Sequence, residues 1–179
     1  MNATITDKST FSGRMSWSKQ FLHAQYKIIE HFAPRLDFNK AANHINICEA
    51  TEDDDKNFET DVYVCNYNKL NIALRVREGK STDYGDIMIR SKTKYGNPSE
   101  LDKIMQGYGD YYLYCWTDPN SDSFTINEYL FIDLDAFRVH INDVFLGVKA
   151  FPYEGTASAR FSIDLLVKRA CCVACYLEP

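Results

Sequence analysis

The sequence predicts a mixed α/β (α+β) domain, in which a single mixed sheet is flanked by helices. Three observations favour this class: apolar residues at helical spacing over residues 16–32, alternating β-rich runs over residues 44–92, and a second helix signal over residues 97–107. The 179 residues suffice for one domain with a substantial core. We therefore expect one globular domain over residues 15–179, preceded by a flexible polar segment, residues 1–14.

The composition is that of a soluble globular protein with a small negative charge. Hydrophobic residues make up 45% of the chain and aromatic residues 14%, which argues against global disorder. The net charge of −5 argues against nucleic-acid binding over the whole surface, because phosphate binding depends on lysine and arginine, but it permits a local basic face. No run reaches the roughly 18 apolar residues of a membrane-spanning helix, and no signal-peptide core is present, so we expect a cytoplasmic protein.

The first half of the chain predicts a helix followed by four strands. From Ser16 to Phe32 the apolar residues recur at helical spacing, and Pro34 follows at a natural helix end. The run HINICEA predicts a strand, and DVYVCNY and LNIALRVR predict a hairpin joined by the turn-like NYNK. The run GDIMIRSK, Gly85–Lys92, is expected to extend the same sheet.

The second half of the chain contains a detailed helix-start signal. Asn97 is the expected N-cap, Pro98 the first helical residue, Glu100 a member of a capping box, and Gly107 the end of the helix. The run DYYLYCW then predicts an aromatic strand. EYLFIDLDAFRVHI predicts a strand that leads into a helix near Asp133, and RFSIDLLV predicts an edge strand.

The run KLNIALRVREGK has the alternation of a half-buried strand. This alternation predicts two sets of side chains on opposite faces: Ile72, Leu74 and Val76 on one, and Ala73, Arg75 and Arg77 on the other. Two arginines on one face of a strand repel each other, so we expect them to be solvated or paired.

An acidic segment precedes the hairpin and is a candidate metal site. Its carboxylates are Glu49, Glu52, Asp53, Asp54, Asp55, Glu59 and Asp61. Magnesium prefers hard oxygen ligands, and a bound magnesium ion stabilises the charge that develops on a phosphodiester during cleavage. The alternative is a solvated acidic loop, the commoner role of such a charge run. Asp61 differs from the others because it opens an apolar strand.

Four basic residues form a candidate phosphate-binding face: Arg75, Arg77, Arg90 and Lys92. Guanidinium groups bind phosphate or carboxylate through two parallel hydrogen bonds. These residues share a face if their two strands are neighbours in a suitable register. The alternative is a structural role, in which the arginines pair with carboxylates and stabilise the sheet surface; the candidate partners are Asp61, Asp83, Asp86 and Glu100.

Other catalytic and metal-binding patterns are weak. The four histidines are scattered, and no Gly-rich phosphate loop follows a predicted strand. Of the six cysteines, Cys171, Cys172 and Cys175 lie together, and the last two have CxxC spacing. A zinc site would need further ligands, and no second cysteine pair is present, so a buried or incidental cluster is the alternative.

The predicted order of helix, strand, hairpin, helix and strand resembles the αβββαβ core of the PD-(D/E)XK nuclease superfamily, the restriction-endonuclease-like fold. In that core a glutamate often lies on the first helix, an aspartate opens the second strand, and an acid and a lysine follow on the third. Glu30 and Asp61 stand at the first two positions. The third strand has Ala73, Leu74 and Arg75, so arginine replaces the lysine and alanine replaces the acid.

This resemblance implies a magnesium-dependent phosphodiesterase. The implied catalytic residues are Asp61, Arg75 and Glu49; the implied metal ligands are Asp61, Glu49 and Glu30; and the implied substrate-binding residues are Arg77, Arg90 and Lys92. Because alanine replaces the third-strand acid, the second acid would have to come from another element, and Glu49 and Glu100 are the candidates.

The pattern EDDDKNFETDVYV…IALRVR…YGDIMIRSK…SELDKIMQGYGDYYLY also resembles proteins of tailed bacteriophages and related prophages, over roughly residues 45–140. The expected function is therefore that of a nuclease-like phage protein in the host cytoplasm, which binds or processes nucleic acid. The alternative is a non-catalytic phage accessory or anti-defence protein. Such a protein would bind and inhibit a host protein through the acidic segment or a tyrosine-rich surface.

Overall fold

The computed structural model describes residues 16–33, 46–51, 61–65, 69–118 and 124–177. These residues form a mixed α/β structure with helices, a six-stranded sheet and a three-stranded sheet, which confirms the α+β class. The expectation of a single sheet differs from the structure, because one predicted strand leaves the first sheet and pairs elsewhere.

The helices are α1 (Leu22–Phe32), α2 (Ser81–Tyr84), α3 (Glu100–Met105), α4 (Leu134–Val144) and α5 (Ile163–Lys168). The strands are β1 (Asn46–Glu49), β2 (Val62–Cys65), β3 (Lys69–Glu78), β4 (Asp86–Lys92), β5 (Tyr111–Thr117), β6 (Glu128–Asp133), β7 (Phe145–Phe151), β8 (Thr156–Ser162) and β9 (Cys172–Tyr176). No helix in the described ranges has the length and apolar character needed to cross a membrane.

The six-stranded sheet has the order β1-β2-β3-β5-β6-β9. β1, β2 and β3 pair antiparallel, which confirms the predicted hairpin of β2 and β3. β5 then pairs parallel to β3, and this register places Arg75 beside Tyr114 and Arg77 beside Trp116. Parallel neighbours need a long crossover, and here it contains α2, β4 and α3.

The three-stranded sheet has the order β4-β8-β7. Two sequence expectations are corrected here. The run Gly85–Lys92 forms β4 in this second sheet and does not extend the first one. The run RFSIDLLV was expected to be an edge strand, but its first residues end the central strand β8 and the rest form α5. The Ser162 hydroxyl caps this helix by accepting a hydrogen bond from the Leu165 amide at 3.3 Å.

The six-stranded sheet buries both of its faces, whereas the alternation along β3 predicted a half-buried strand. One side, the α1 face, packs Ile72 of β3 with Leu113, Cys115 and Phe131 against Ile29 and Phe32 of α1. The other side, the inner face, packs Ala73 of β3 with Tyr112, Tyr114 and Trp116 against Ile87, Ile89 and Phe161 of the second sheet and Phe137 and Leu166 of the helices. Arg75 and Arg77 therefore lie on a covered face of the sheet.

Three helices can be compared with the starts and lengths that the sequence predicted for them. The helix predicted from Ser16 to Phe32 is broken, since helical residues 16–19 are followed by turn residues 20 and 21 before α1. The cap of α3 is Ser99 rather than the predicted Asn97. The helix start predicted near Asp133 is confirmed, because the Asp133 carboxylate accepts from the amides of residues 135 and 136.

Candidate functional site

Arg75 lies at the centre of the candidate site, on the inner face between β3 and β5. Its side chain is deep in the structure but remains partly exposed to solvent. Burial alone lowers the pKa of Arg75, but the negative charges of Glu100 and Asp61 and the nearby tyrosine hydroxyls outweigh it and raise the pKa above its ordinary value. Within the described part of the chain, no hydrogen bond or ion pair engages this guanidinium.

Glu100 approaches Arg75 from the first turn of α3. The Glu100 carboxylate accepts a hydrogen bond from the Tyr112 hydroxyl at 2.5 Å and another from the backbone amide of Arg90 at 3.1 Å. Burial, and then the charge of Glu100, raise the pKa of the fully buried Tyr112 well above its ordinary value. Tyr112 therefore keeps its proton and holds the Glu100 carboxylate in place.

Asp61 lies at the residue before β2, where the pairing of β2 with β3 ends. Its carboxylate accepts a hydrogen bond from the Leu74 amide at 2.5 Å, and its own amide donates to the Ile72 carbonyl at 3.1 Å. The charge of Asp61 also acts on Arg75 of the neighbouring strand. The structure thus brings together Asp61 and Arg75, two of the three residues predicted to be catalytic.

The third predicted catalytic residue, Glu49, is the last residue of β1 and is exposed. Together with Asp61 it acts on Tyr26 of α1, whose pKa is raised first by burial and then by these neighbouring charges. Glu30 is exposed on α1. Among the described residues, no group of three or more metal-ligating side chains could hold a metal ion. Residues 52–60 lie outside the described ranges, so magnesium binding stays a prediction.

Arg77 has a structural partner. Its guanidinium lies 3.3 Å from the carboxylate of Asp86, which is only 3% exposed, and stacks 3.4 Å from the ring centroid of Tyr84. The same carboxylate accepts from Arg160 of β8 at 2.5 Å. Asp86 therefore joins the two sheets electrostatically, and for Arg77 the geometry favours the structural alternative over substrate binding.

Arg90 and Lys92 lie on β4, and both are exposed. Because β4 and β3 belong to different sheets, these two residues are not strand neighbours of Arg75, as a shared arginine face would have required. The backbone of Arg90 nevertheless contacts Glu100, so the end of β4 borders the Arg75 site.

Two groups of residues near the site were not singled out from the sequence. Tyr112 and Tyr114 form the wall of the site beside Arg75; their alternation in the aromatic run was the available signal. Glu128 is buried and accepts from the Ser81 amide at 2.5 Å and the Ser81 hydroxyl at 3.0 Å, which anchors α2. No local pattern marks a single glutamate at the start of a strand for that role.

The cysteine cluster has the features of structural thiols. Cys171 is buried, Cys172 is half-buried, and Cys175 is exposed. Burial, with smaller contributions from the other cysteines, raises the pKa of Cys172 to about 12, and burial also raises that of Cys171. Both thiols therefore remain protonated and weakly nucleophilic at neutral pH.

A comparison of the chain with protein-family models gives no match, and a comparison with curated proteins gives none either.

Proposed function

We propose that the protein binds the phosphate backbone of a nucleic acid, with Arg75 as the central phosphate-binding residue. The observation that supports this proposal most is the state of the Arg75 guanidinium. It is held on a packed face of the sheet and remains accessible to solvent, and none of the described residues satisfies its donors. The charges of Glu100 and Asp61 favour the charged guanidinium without occupying its hydrogen-bond donors, so these donors stay available to an external anion.

The surroundings of Arg75 favour a single orientation of the bound phosphate. Tyr112 and Tyr114 lie along one side of the Arg75 site. On another side, Glu100 is fixed by two hydrogen bonds. A phosphate would accept two parallel hydrogen bonds from the guanidinium. Arg90 and Lys92, at the exposed end of β4, would attract the flanking phosphates of a longer strand.

The carboxylates near Arg75 already have hydrogen-bond partners. The Asp61 carboxylate accepts from a backbone amide, and the Glu100 carboxylate accepts two hydrogen bonds. The described residues contain no group of three metal-ligating side chains, so the proposal covers binding and includes no step that requires a metal ion.

The experiment measures fluorescence anisotropy of labelled single- and double-stranded DNA and RNA at low salt. Replacing Arg75 by Gln should weaken binding about tenfold or more, since a charge-assisted pair contributes ~1.5 to 3 kcal/mol. Arg169→Gln is the matched control: its side chain is half-exposed and pairs with Asp143 at 3.4 Å, outside the Arg75 site. This variant should bind as the unaltered protein does.

Two results would contradict the proposal. One is the absence of any binding at low salt; the other is an equal loss of affinity in both arginine variants while circular dichroism shows that both are folded. A parallel incubation with Mg²⁺ or Mn²⁺ tests cleavage. If strands are cut, and Asp61→Asn and Glu100→Gln abolish the cutting without abolishing binding, the site is catalytic as well.

The alternative predicted from the sequence, a non-catalytic accessory or anti-defence protein, depends mainly on the acidic segment. Residues 52–60 of that segment lie outside the described ranges, so inhibition of a host protein stays a prediction. Recovery of no partner from host lysate would count against it.

A further inference from the structure

The three-stranded sheet carries a row of polar and basic side chains on its outer face, the side that is turned away from the core. Arg90 of β4 pairs with Ser158 of β8, which pairs with Lys149 of β7, so these three side chains lie in one row across the sheet. In the adjacent row, Ile89 and Ala159 belong to the core on the inner side. Because side chains alternate along a strand, the Arg90 row points the other way. Arg90 and Lys149 are both exposed.

Positive charge is concentrated on and beside this face, although the chain as a whole is negative. Residues 87–99 cover most of β4 and the loop after it, and residues 144–153 cover β7 and the start of the turn that follows; neither stretch contains a carboxylate. Together they contain four cations: Arg90, Lys92, Lys94 and Lys149. In a chain with a net charge of −5, such a local field attracts an anionic polymer to one part of the surface.

Two exposed tyrosines lie at the end of the sheet where β7 turns into β8. Tyr153, in that turn, is fully exposed, and Tyr95, in the loop after β4, is 81% exposed. The turn and the loop touch, because a Cβ atom added at Gly155 would lie 3.3 Å from the Cγ atom of Lys94. The Lys94 ammonium also lies 5.4 Å from the Tyr95 ring centroid. Rings and cations thus form one basic aromatic surface, which consists of Arg90, Lys94, Tyr95, Lys149 and Tyr153.

We propose that the basic aromatic surface binds single-stranded nucleic acid, with phosphates at its cations and unpaired bases stacked on Tyr95 and Tyr153. This inference names the class of strand for the function proposed above and rests on that function. Stacking on an exposed ring requires a base that is free of its duplex, and every base offers a flat face, so the contact tolerates any sequence. The surface therefore selects single strands over duplexes with little preference for sequence.

Strand β4 connects this surface with the Arg75 site. The backbone amide of Arg90 donates to the Glu100 carboxylate at 3.1 Å, and the charge of Glu100 acts on Arg75, whereas the Arg90 side chain lies on the outer face. The end of β4 thus borders both places, and a strand whose phosphate binds Arg75 continues over β4 to the basic aromatic surface.

The polar residues between the cations favour nucleic acid over a membrane as the occupant. Thr156 and Ser158 of the central strand β8 lie on the outer face, and their hydroxyl groups can donate to phosphate oxygens or base edges. A surface that enters a lipid interface needs large apolar side chains at these central positions.

The test measures fluorescence anisotropy of the full chain at low salt with three labelled probes of equal length, about 15 nucleotides. The probes are oligo-dT, an abasic strand that keeps the phosphates but has no bases, and a duplex. Oligo-dT should bind about fivefold or more tightly than either of the others. Tyr153→Ala should remove most of this advantage and leave the affinity for the abasic strand unchanged. Tyr176→Ala is the matched control, an exposed tyrosine of β9 in the other sheet, and should change neither affinity.

Lys149→Gln separates the two kinds of contact. Because a phosphate contact does not depend on the base, this variant should weaken the binding of oligo-dT and of the abasic strand by the same factor. A loss confined to oligo-dT would contradict the role of Lys149.

Equal affinity of the unaltered protein for oligo-dT and the abasic strand would overturn the inference, and so would equal effects of Tyr153→Ala and Tyr176→Ala. If Arg75→Gln still weakens binding of the abasic strand in that case, phosphate binding at Arg75 stands and only the stacking surface is wrong. Binding of no probe would overturn both proposals. Vesicles that contain phosphatidylserine complete the test: if Tyr153→Ala weakens binding to them but not to oligo-dT, the surface contacts a membrane and the inference is wrong.

Discussion

The ion pairs of Asp86 should contribute much more to stability than their number suggests, because this carboxylate joins the two sheets. It is 3% exposed and interacts with Arg77 of β3 and Arg160 of β8. Asp86→Asn keeps the size of the side chain and one carbonyl acceptor but removes the charge. The two positively charged guanidinium groups would then lie beside a neutral amide, in an environment that is partly shielded from water.

The expected loss of unfolding free energy follows from the exposure of the partners. Breaking a fully buried ion pair costs ~3 to 5 kcal/mol, whereas an exposed pair contributes ~0.2 to 1 kcal/mol. The Arg77 side chain is 16% exposed and that of Arg160 is 42% exposed, so solvent screens the second contact. We therefore expect Asp86→Asn to lower the unfolding free energy by ~2 to 3 kcal/mol.

Urea unfolding followed by circular dichroism measures this value, and Asp164→Asn is the matched control. Asp164 pairs with Lys168 at 2.6 Å, close to the 2.5 Å of the Asp86–Arg160 contact, but both side chains are about two-thirds exposed. The control should lose no more than ~0.5 kcal/mol. If the two variants lose equal stability, the reasoning that burial decides the contribution of these ion pairs is wrong.

Two further predictions concern pH. Burial and the charge of Glu100 raise the pKa of Tyr112. The stabilising contribution of this tyrosine is therefore complete below its ordinary pKa of about 10 and is lost as the pH rises toward the folded-state value. Between about pH 9 and 11 the unfolding free energy should fall less steeply in Tyr112→Phe than in the unaltered protein. At α3, hydrogen bonds from the Ser99 backbone and side chain lower the pKa of Asp102, a contribution present above the unfolded-state pKa and lost as the pH falls through the folded-state value. Ser99→Ala should therefore cost ~1 kcal/mol in urea unfolding at neutral pH and less in acid, and an equal cost at both would contradict this linkage.

Local patterns in the sequence determined several elements. The alternation around Arg75 correctly divided β3 into two faces, because side chains on a strand alternate whatever packs against them. The helix start at Asp133 was correct for a similar reason, since a carboxylate satisfies the exposed amides of its own first turn. The cap of α3 was misplaced by two residues because Asn97 and Ser99 are both good caps, and only the Ser99–Asp102 hydrogen bonds distinguish them.

The candidate site needed the tertiary structure. The sequence identified Asp61 and Arg75 and ranked Glu49 with them as catalytic. It offered Glu100 as a capping residue, as one of four possible partners of the arginines and as one of two candidates for the second acid. Glu100 reaches the site because the crossover from β3 to β5 places α3 above the inner face, where the Tyr112 hydroxyl fixes its carboxylate. Such a contact joins residues distant in sequence, and no local periodicity records it.

The assignment of strands to sheets was also decided only in three dimensions. The sequence of β4 has the alternation of a strand, and that pattern determined its secondary structure correctly. A strand pattern does not specify its partner, because backbone hydrogen bonds are the same in every pairing. The partner was set by side-chain burial and by the Asp86 ion pairs, which place β4 beside β8 and across from β3. The sequence by itself thus determined the elements and their faces, and long-range packing decided which faces meet and which residues surround Arg75.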